Sequence, residues 1–78
     1  MFYKTTDLQA LKERACTIFI YTHDNKYFKG IVKNTLGAHI DLYLSHNKIT
    51  VFVDKYTILK IADQETDIRL PDGRYWQD

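Results

Sequence analysis

The sequence has little of what small domains use for covalent or metal-based stabilisation. Its 78 residues include one cysteine, Cys16, which excludes an intrachain disulfide and argues against a cysteine–histidine metal site. A lone cysteine is typical of a reducing compartment. A core of this size gives only marginal stability by itself. We therefore expect oligomerisation to supply the remainder, and we predict no cofactor.

Long apolar runs are also missing. The opening MFYKTTDLQA lacks the apolar core of a signal peptide, and no stretch approaches the roughly 20 apolar residues of a membrane span. These features predict a soluble, cytoplasmic protein without a membrane partner.

An excess of one charge is absent as well. The net charge is +1, which alone does not indicate a nucleic-acid-binding protein. Residues 1–62 carry nine Lys or Arg and five Asp or Glu, whereas residues 63–78 carry two and five. The body is mildly basic and the C-terminal end acidic, which is compatible with many functions.

The residues that are present predict a mostly β fold. A short helix is expected at about residues 6–15, with Thr6 as its N-cap, Gln9 in the capping-box position and an apolar stripe of Leu8 and Leu11. Alternating apolar residues separated by turn signals then predict five strands. These strands are expected at residues 16–23, 26–34, 39–45, 48–54 and 57–62. Tight connections favour a strongly bent, five-stranded antiparallel barrel over residues 1–62.

Two further features belong to this architecture. Gly30 lies inside the second predicted strand, where glycine marks either a sharp bend or a close approach of another backbone. Residues 63–78 form a C-terminal extension, and Pro71-Asp72-Gly73 predicts a turn that would make it an extra hairpin. We expect this hairpin to pack on its own barrel or on a neighbouring subunit. Alternatively, Tyr75 and Trp76 would anchor a protein partner.

Residues 8–34, LQALKERACTIFIYTHDNKYFKGIVKN, resemble the opening of the Sm-like family, closest in layout to the bacterial RNA chaperone Hfq. Gly30-Ile31-Val32 resembles the centre of the first Sm motif, and HIDLYL (39–44) its later part. VDKYTI (53–58) stands where the second motif is expected. The likeness extends over about three-quarters of the chain, residues 6–62. The polar positions differ, since Asp41 replaces asparagine and Asp54-Lys55 replaces a Lys-His pair.

The resemblance implies a closed homo-oligomeric ring of five to seven subunits, in which the fourth barrel strand of one subunit pairs with the fifth of the next. The predicted strands also favour a ring, because two apolar strands left unpaired at the edges of the sheet could pair with other chains and aggregate. A head-to-tail contact that closes into a ring removes both edges.

Two groups of residues are candidates for RNA binding. His39 and Asp41 share one face of their strand, and in a ring they would stack on a base and accept hydrogen bonds from it, with Lys55 completing a pocket. Alternatively, both are solvated residues at a strand end. The second group, Lys4, Lys12 and Arg14, would meet RNA from the helix, or else form a solvated helix face.

These residues offer three candidate functions. The first is a ring that binds single-stranded, U- or A-rich RNA as an RNA chaperone or regulator. The second is a structural or protein-interaction ring that kept the fold and lost RNA binding. Acid–base catalysis by His39, Asp41 and Lys55 lacks a nucleophile or second carboxylate, so we predict that the protein is not an enzyme.

Overall fold

Six short strands and one short helix make up the fold in a computed structural model that describes residues 1–68. The mostly β class with an N-terminal helix is thereby confirmed. Five strands lie within one residue of the predicted ranges at each end. The strands are β1 (Phe2–Tyr3), β2 (Thr17–Thr22), β3 (Tyr27–Asn34), β4 (His39–Leu44), β5 (Ile49–Asp54) and β6 (Ile58–Ala62).

The strands form one antiparallel sheet in the order β1-β6-β2-β3-β4-β5. The sheet is not closed, so the predicted barrel is found only as an open sheet with β1 and β5 at its edges. Strand β1 was not predicted. It pairs Phe2 with Ala62 and Tyr3 with Ile61, and its two residues are too few to show an alternating pattern.

The helix α1 (Leu8–Arg14) follows a single 3₁₀ turn at Thr5–Asp7. Thr6 does not cap it, which corrects the predicted capping box. The carboxylate of Asp7 instead accepts a hydrogen bond from the N–H of Lys4 at 2.8 Å, one turn back. Gln9 accepts a bond from the hydroxyl of Thr35 at 2.9 Å and so fastens the helix to the β3–β4 loop. Within residues 1–68 no helix has the length and apolar character needed to cross a bilayer.

One face of the sheet, the inner face, holds the main core. Alternate residues of the central strands point into it, and Leu8 and Leu11 of α1 pack against them. The buried residues of this cluster are Leu8, Leu11, Ile18, Ile20, Val32, Ile40, Leu42, Val53 and Ile61. Because Ile40 and Leu42 point inward, the residues between and beside them on β4 point to the opposite, outer face.

A second apolar cluster lies on the outer face of the sheet. Phe19 and Tyr21 of β2 pack there with Ala62 and with Ile68, which is fully buried. The chain reaches this position through a 3₁₀ turn at Glu65–Asp67, and the first strand of the predicted hairpin was expected to begin at Asp67. The rest of that hairpin, with Tyr75 and Trp76, lies outside the described residues.

Gly30 is required by the close approach of β4. A Cβ atom built on it would lie 2.4 Å from the carbonyl oxygen of Tyr43 and 3.2 Å from Cγ of Leu42. Carbon atoms cannot approach a backbone oxygen so closely, so any larger residue must push β3 and β4 apart. Of the two interpretations of this glycine, the structure supports the close backbone approach.

Candidate nucleic-acid interface

The outer face of β4 and β5 presents an uncovered group of polar and aromatic side chains. His39 and Asp41 lie on this face of β4, as the alternation predicted. In the register of the two strands, Asp41 is opposite Phe52, and His39 is opposite Asp54. Paired residues share a face, so Phe52 joins the two predicted residues. We call His39, Asp41 and Phe52 the outer-face patch.

The two rings of the patch are in contact. The His39 and Phe52 ring centroids are 5.5 Å apart, with the planes inclined by 75° in an edge-to-face arrangement. This geometry is a favoured one for aromatic pairs. The Phe52 side chain is nevertheless 72% exposed, which is a high value for a large apolar residue in a strand. Most of the Phe52 side chain is therefore accessible to a ligand.

The carboxylate of Asp41 completes the patch. Asp41 is half-buried, and its paired residues are Phe52 on β5 and Asn34 on β3. Within residues 1–68 no hydrogen bond or ion pair engages this carboxylate. Both oxygens of this carboxylate can therefore accept hydrogen bonds from a ligand that contacts the exposed aromatic ring.

Lys55 makes two hydrogen bonds to the β3–β4 loop. Its ammonium donates a hydrogen bond to the carbonyl of Thr35, and its backbone N–H donates to the carbonyl of Ala38 at 2.9 Å. The 3₁₀ turn that carries it, Lys55–Thr57, is capped by Asp54, whose carboxylate accepts from the N–H of Tyr56 at 2.9 Å. Lys55 thus ties the β3–β4 loop to the β5–β6 turn and supports the end of the patch.

Two residues of this surface were not singled out from the sequence. One is Phe52, and the other is Lys33, an exposed residue of β3 whose ammonium lies 5.8 Å from the ring centroid of Tyr43. Alternation does place both on the outer face. It does not give the cross-strand register, and only the register brings Phe52 beside Asp41.

The predicted basic residues of the helix belong to another surface, because α1 packs on the inner face through Leu8 and Leu11. Lys4 is exposed and Lys12 is half-buried. The guanidinium of Arg14 lies 5.7 Å from the ring centroid of Tyr3 and donates a hydrogen bond to its hydroxyl at 3.4 Å. This contact raises the pKa of Arg14.

The surroundings of the patch contain a cavity but no cluster suited to a metal ion. Phe52 also lines a cavity of about 190 Å³ between the β2–β3 turn and the end of β5. Asp24 lies on the far wall, and its hydrogen bond from the hydroxyl of Thr22 lowers its pKa. Within the described part of the chain, residues 1–68, no three His, Cys, Asp or Glu side chains are grouped as metal ligands.

Comparison with protein-family models, with curated proteins and with solved structures finds no match for this chain. The Sm-like resemblance therefore rests on the residues quoted for it.

Proposed function

We propose that the protein is a homo-oligomeric ring of the Sm-like type that binds single-stranded RNA at the outer-face patch. The observation that carries this proposal is the exposed Phe52 ring in contact with His39 and beside the unengaged carboxylate of Asp41. An aromatic platform with an adjacent hydrogen-bonding group is the combination by which proteins hold unstacked bases.

Stacking supplies affinity that does not depend on a strongly basic surface. Each base stacked on an aromatic ring contributes roughly 1–3 kcal/mol, as measured by alanine substitution in other proteins. The net charge of +1 therefore does not exclude RNA. Lys33, on the adjacent strand, offers an ammonium for a phosphate.

The sheet edges support the assembly. β5 is the last strand of the sheet, and Ile49 at its start is 51% exposed. At the other side, β1 pairs with β6 only at Ile61 and Ala62, so Ile58 and Leu59 lie beyond the end of β1. Pairing of β5 with this part of β6 in the next copy would extend the sheet from subunit to subunit. Such a head-to-tail contact closes into a ring when the rotation is suitable.

The same edge favours a second function, a ring that serves protein contacts. Ile49 and Phe52 place apolar surface on β5, and aromatic side chains are frequent anchors of protein interfaces. In this case a protein partner would cover Phe52, and no base could stack on it.

Light scattering on the full chain, with and without a labelled single-stranded hexauridylate or hexaadenylate, tests the proposal. We expect the mass of five to seven subunits and a complex with RNA at low salt that weakens as salt rises. Phe52→Ala is expected to weaken RNA binding roughly 5- to 150-fold, the equivalent of one stacked base. Asn47→Ala, in the exposed β4–β5 turn, is the control variant and should bind as the wild type does.

Assembly is tested by Ile49→Lys, which puts a charge on the exposed edge and should dissociate the ring. Leu36→Lys is its matched control, because Leu36 is 80% exposed in the β3–β4 loop and lies on no strand edge. A wild-type monomer at micromolar concentration would contradict the ring. A ring that binds no single-stranded hexamer at low salt, whatever its bases, would contradict the RNA function and favour protein contacts.

A further inference from the structure

We propose that the outer-face patch selects guanine, with the Asp41 carboxylate binding the Watson–Crick edge of a base stacked on Phe52. This inference rests on the proposed RNA binding and adds the identity of the base. The inference is based on the position of Asp41. Its carboxylate has no hydrogen-bond partner within residues 1–68 and lies opposite the exposed ring of Phe52.

The chemistry of the carboxylate distinguishes the four bases. An ionised carboxylate only accepts hydrogen bonds, through two oxygens about as far apart as two neighbouring N–H donors. Guanine presents two adjacent donors, N1–H and the N2 amino group. Uracil presents one N–H between two carbonyl oxygens, and in adenine and cytosine the amino group adjoins an acceptor nitrogen. Only guanine therefore satisfies both oxygens, while the other bases set an acceptor against the negative charge.

The register brings the carboxylate to the edge of a stacked base. Asp41 and Phe52 are directly opposite each other on one face of the β4–β5 pair, and such pairs have Cβ atoms about 5 Å apart. A base lying on the Phe52 ring thus extends its edge over the neighbouring strand. His39, in contact with Phe52, limits the direction from which the base enters. A purine also offers the larger stacking surface.

The negative charge of Asp41 disfavours binding of bases other than guanine. Asp41 and Asp54 are on the same face, opposite Phe52 and His39 respectively, and Lys33 is a nearby cation on β3. A base without two donors leaves the Asp41 charge unpaired against the ligand, which costs more than the bond it fails to make. Discrimination by this mechanism depends on the base contact and not on phosphate contacts. It should therefore persist as salt weakens overall binding.

The test is a titration of the 78-residue chain with the labelled RNAs UUUUUU, UUGUUU, UUAUUU and UUIUUU at two salt concentrations, where I is inosine. A single guanine avoids quadruplex formation. We expect UUGUUU to bind about tenfold more tightly than UUUUUU and UUAUUU, within the usual range for a bidentate contact to a base. Inosine keeps N1–H and lacks the N2 amino group, so UUIUUU should fall between them.

Two variants assign the preference to Asp41. Asp41→Asn replaces one acceptor by a donor and should reduce the guanine preference to about twofold or less. Asp54→Asn removes the same charge from the same face and can still accept the N–H of Tyr56. This control should keep the preference, which excludes a general effect of charge. Thermal melting of both variants checks that each is folded.

The outcomes separate the two proposals. If all four RNAs bind with similar affinity, or if UUUUUU or UUAUUU binds best, the guanine inference is wrong while RNA binding stands. A preference that survives in Asp41→Asn also overturns it. If no RNA binds at low salt, the proposed function fails and the inference fails with it.

Discussion

The two halves of the outer face of the sheet both carry outward aromatic side chains, but their surroundings differ. On β2, Phe19 and Tyr21 point outward and are covered by the segment that ends at Ile68, so that Tyr21 is only 3% exposed. On β4 and β5, the outward His39 and Phe52 are not covered by any of residues 1–68. Outward aromatic residues are therefore structural in the first half and available to a ligand in the second.

Truncating Ile68, which covers the β2 half of the outer face, should have the largest effect on stability. Ile68→Ala is expected to lower the free energy of unfolding by about 2–4 kcal/mol, because it leaves a cavity under a fully buried side chain. Phe52→Ala, on the uncovered half, should change it by about 0.5 kcal/mol or less. Urea unfolding followed by circular dichroism measures both values.

The contrast between these variants is more informative than either value. If Phe52→Ala were as destabilising as Ile68→Ala, Phe52 would be covered in solution, by a neighbouring subunit for instance. Dilution would then identify the source, because stability from a subunit contact depends on protein concentration.

The two halves meet where β3 packs closely against β4, and a substitution at Gly30 should push these strands apart. Gly30→Ala would place a methyl group 2.4 Å from the carbonyl oxygen of Tyr43, so β3 and β4 must separate. We expect a loss of about 1–3 kcal/mol in the free energy of unfolding. Gly37→Asn is the control, because Gly37 has a φ of 83° with nothing near its missing side chain, and asparagine tolerates this conformation. Equal losses in both variants would contradict the close-approach explanation.

Much of the fold follows from local pattern. The ranges of β2 to β6 were predicted because alternation and turn signals are local properties of the chain. β1 was missed because a strand of two residues is too short to show alternation. The predicted Thr6 cap was wrong because, at the helix start, it is the Asp7 carboxylate that accepts a hydrogen bond, from the N–H of Lys4. The openness of the sheet and the covering of one half by Ile68 depend on tertiary contacts, which a local pattern does not contain.

The candidate site was predictable to a smaller extent. His39 and Asp41 share a face because side chains alternate, and that much needs only the sequence. Phe52 joins them through the β4–β5 register, and the bond from Lys55 to Thr35 depends on how two loops meet. These are long-range relations between separate elements. The sequence therefore indicated one strand of the site and not the surface that the two strands make together.

The smallest expected effect concerns the attachment of the covering segment. Asp63 begins this segment, and its carboxylate accepts a hydrogen bond from the hydroxyl of Tyr3 at 2.9 Å. This bond, together with the bond from the amino group of Met1, lowers the pKa of Asp63. A lowered pKa in the folded state means that the ionised carboxylate stabilises the fold above about pH 4. That contribution is lost as the pH falls through the lowered value.

Tyr3→Phe removes the hydroxyl and keeps the ring on which Arg14 lies. We expect its melting temperature to be below that of the wild type at pH 6–7, and the difference should shrink as the pH falls below about 4. Asp24, whose pKa is lowered by Thr22, titrates in both proteins and does not contribute to the difference. Melting curves from pH 2 to pH 7 measure this comparison. A difference that stays constant over the whole range would mean that the hydroxyl stabilises the fold through its bond from Arg14. The attachment of the covering segment would then not depend on the charge of Asp63.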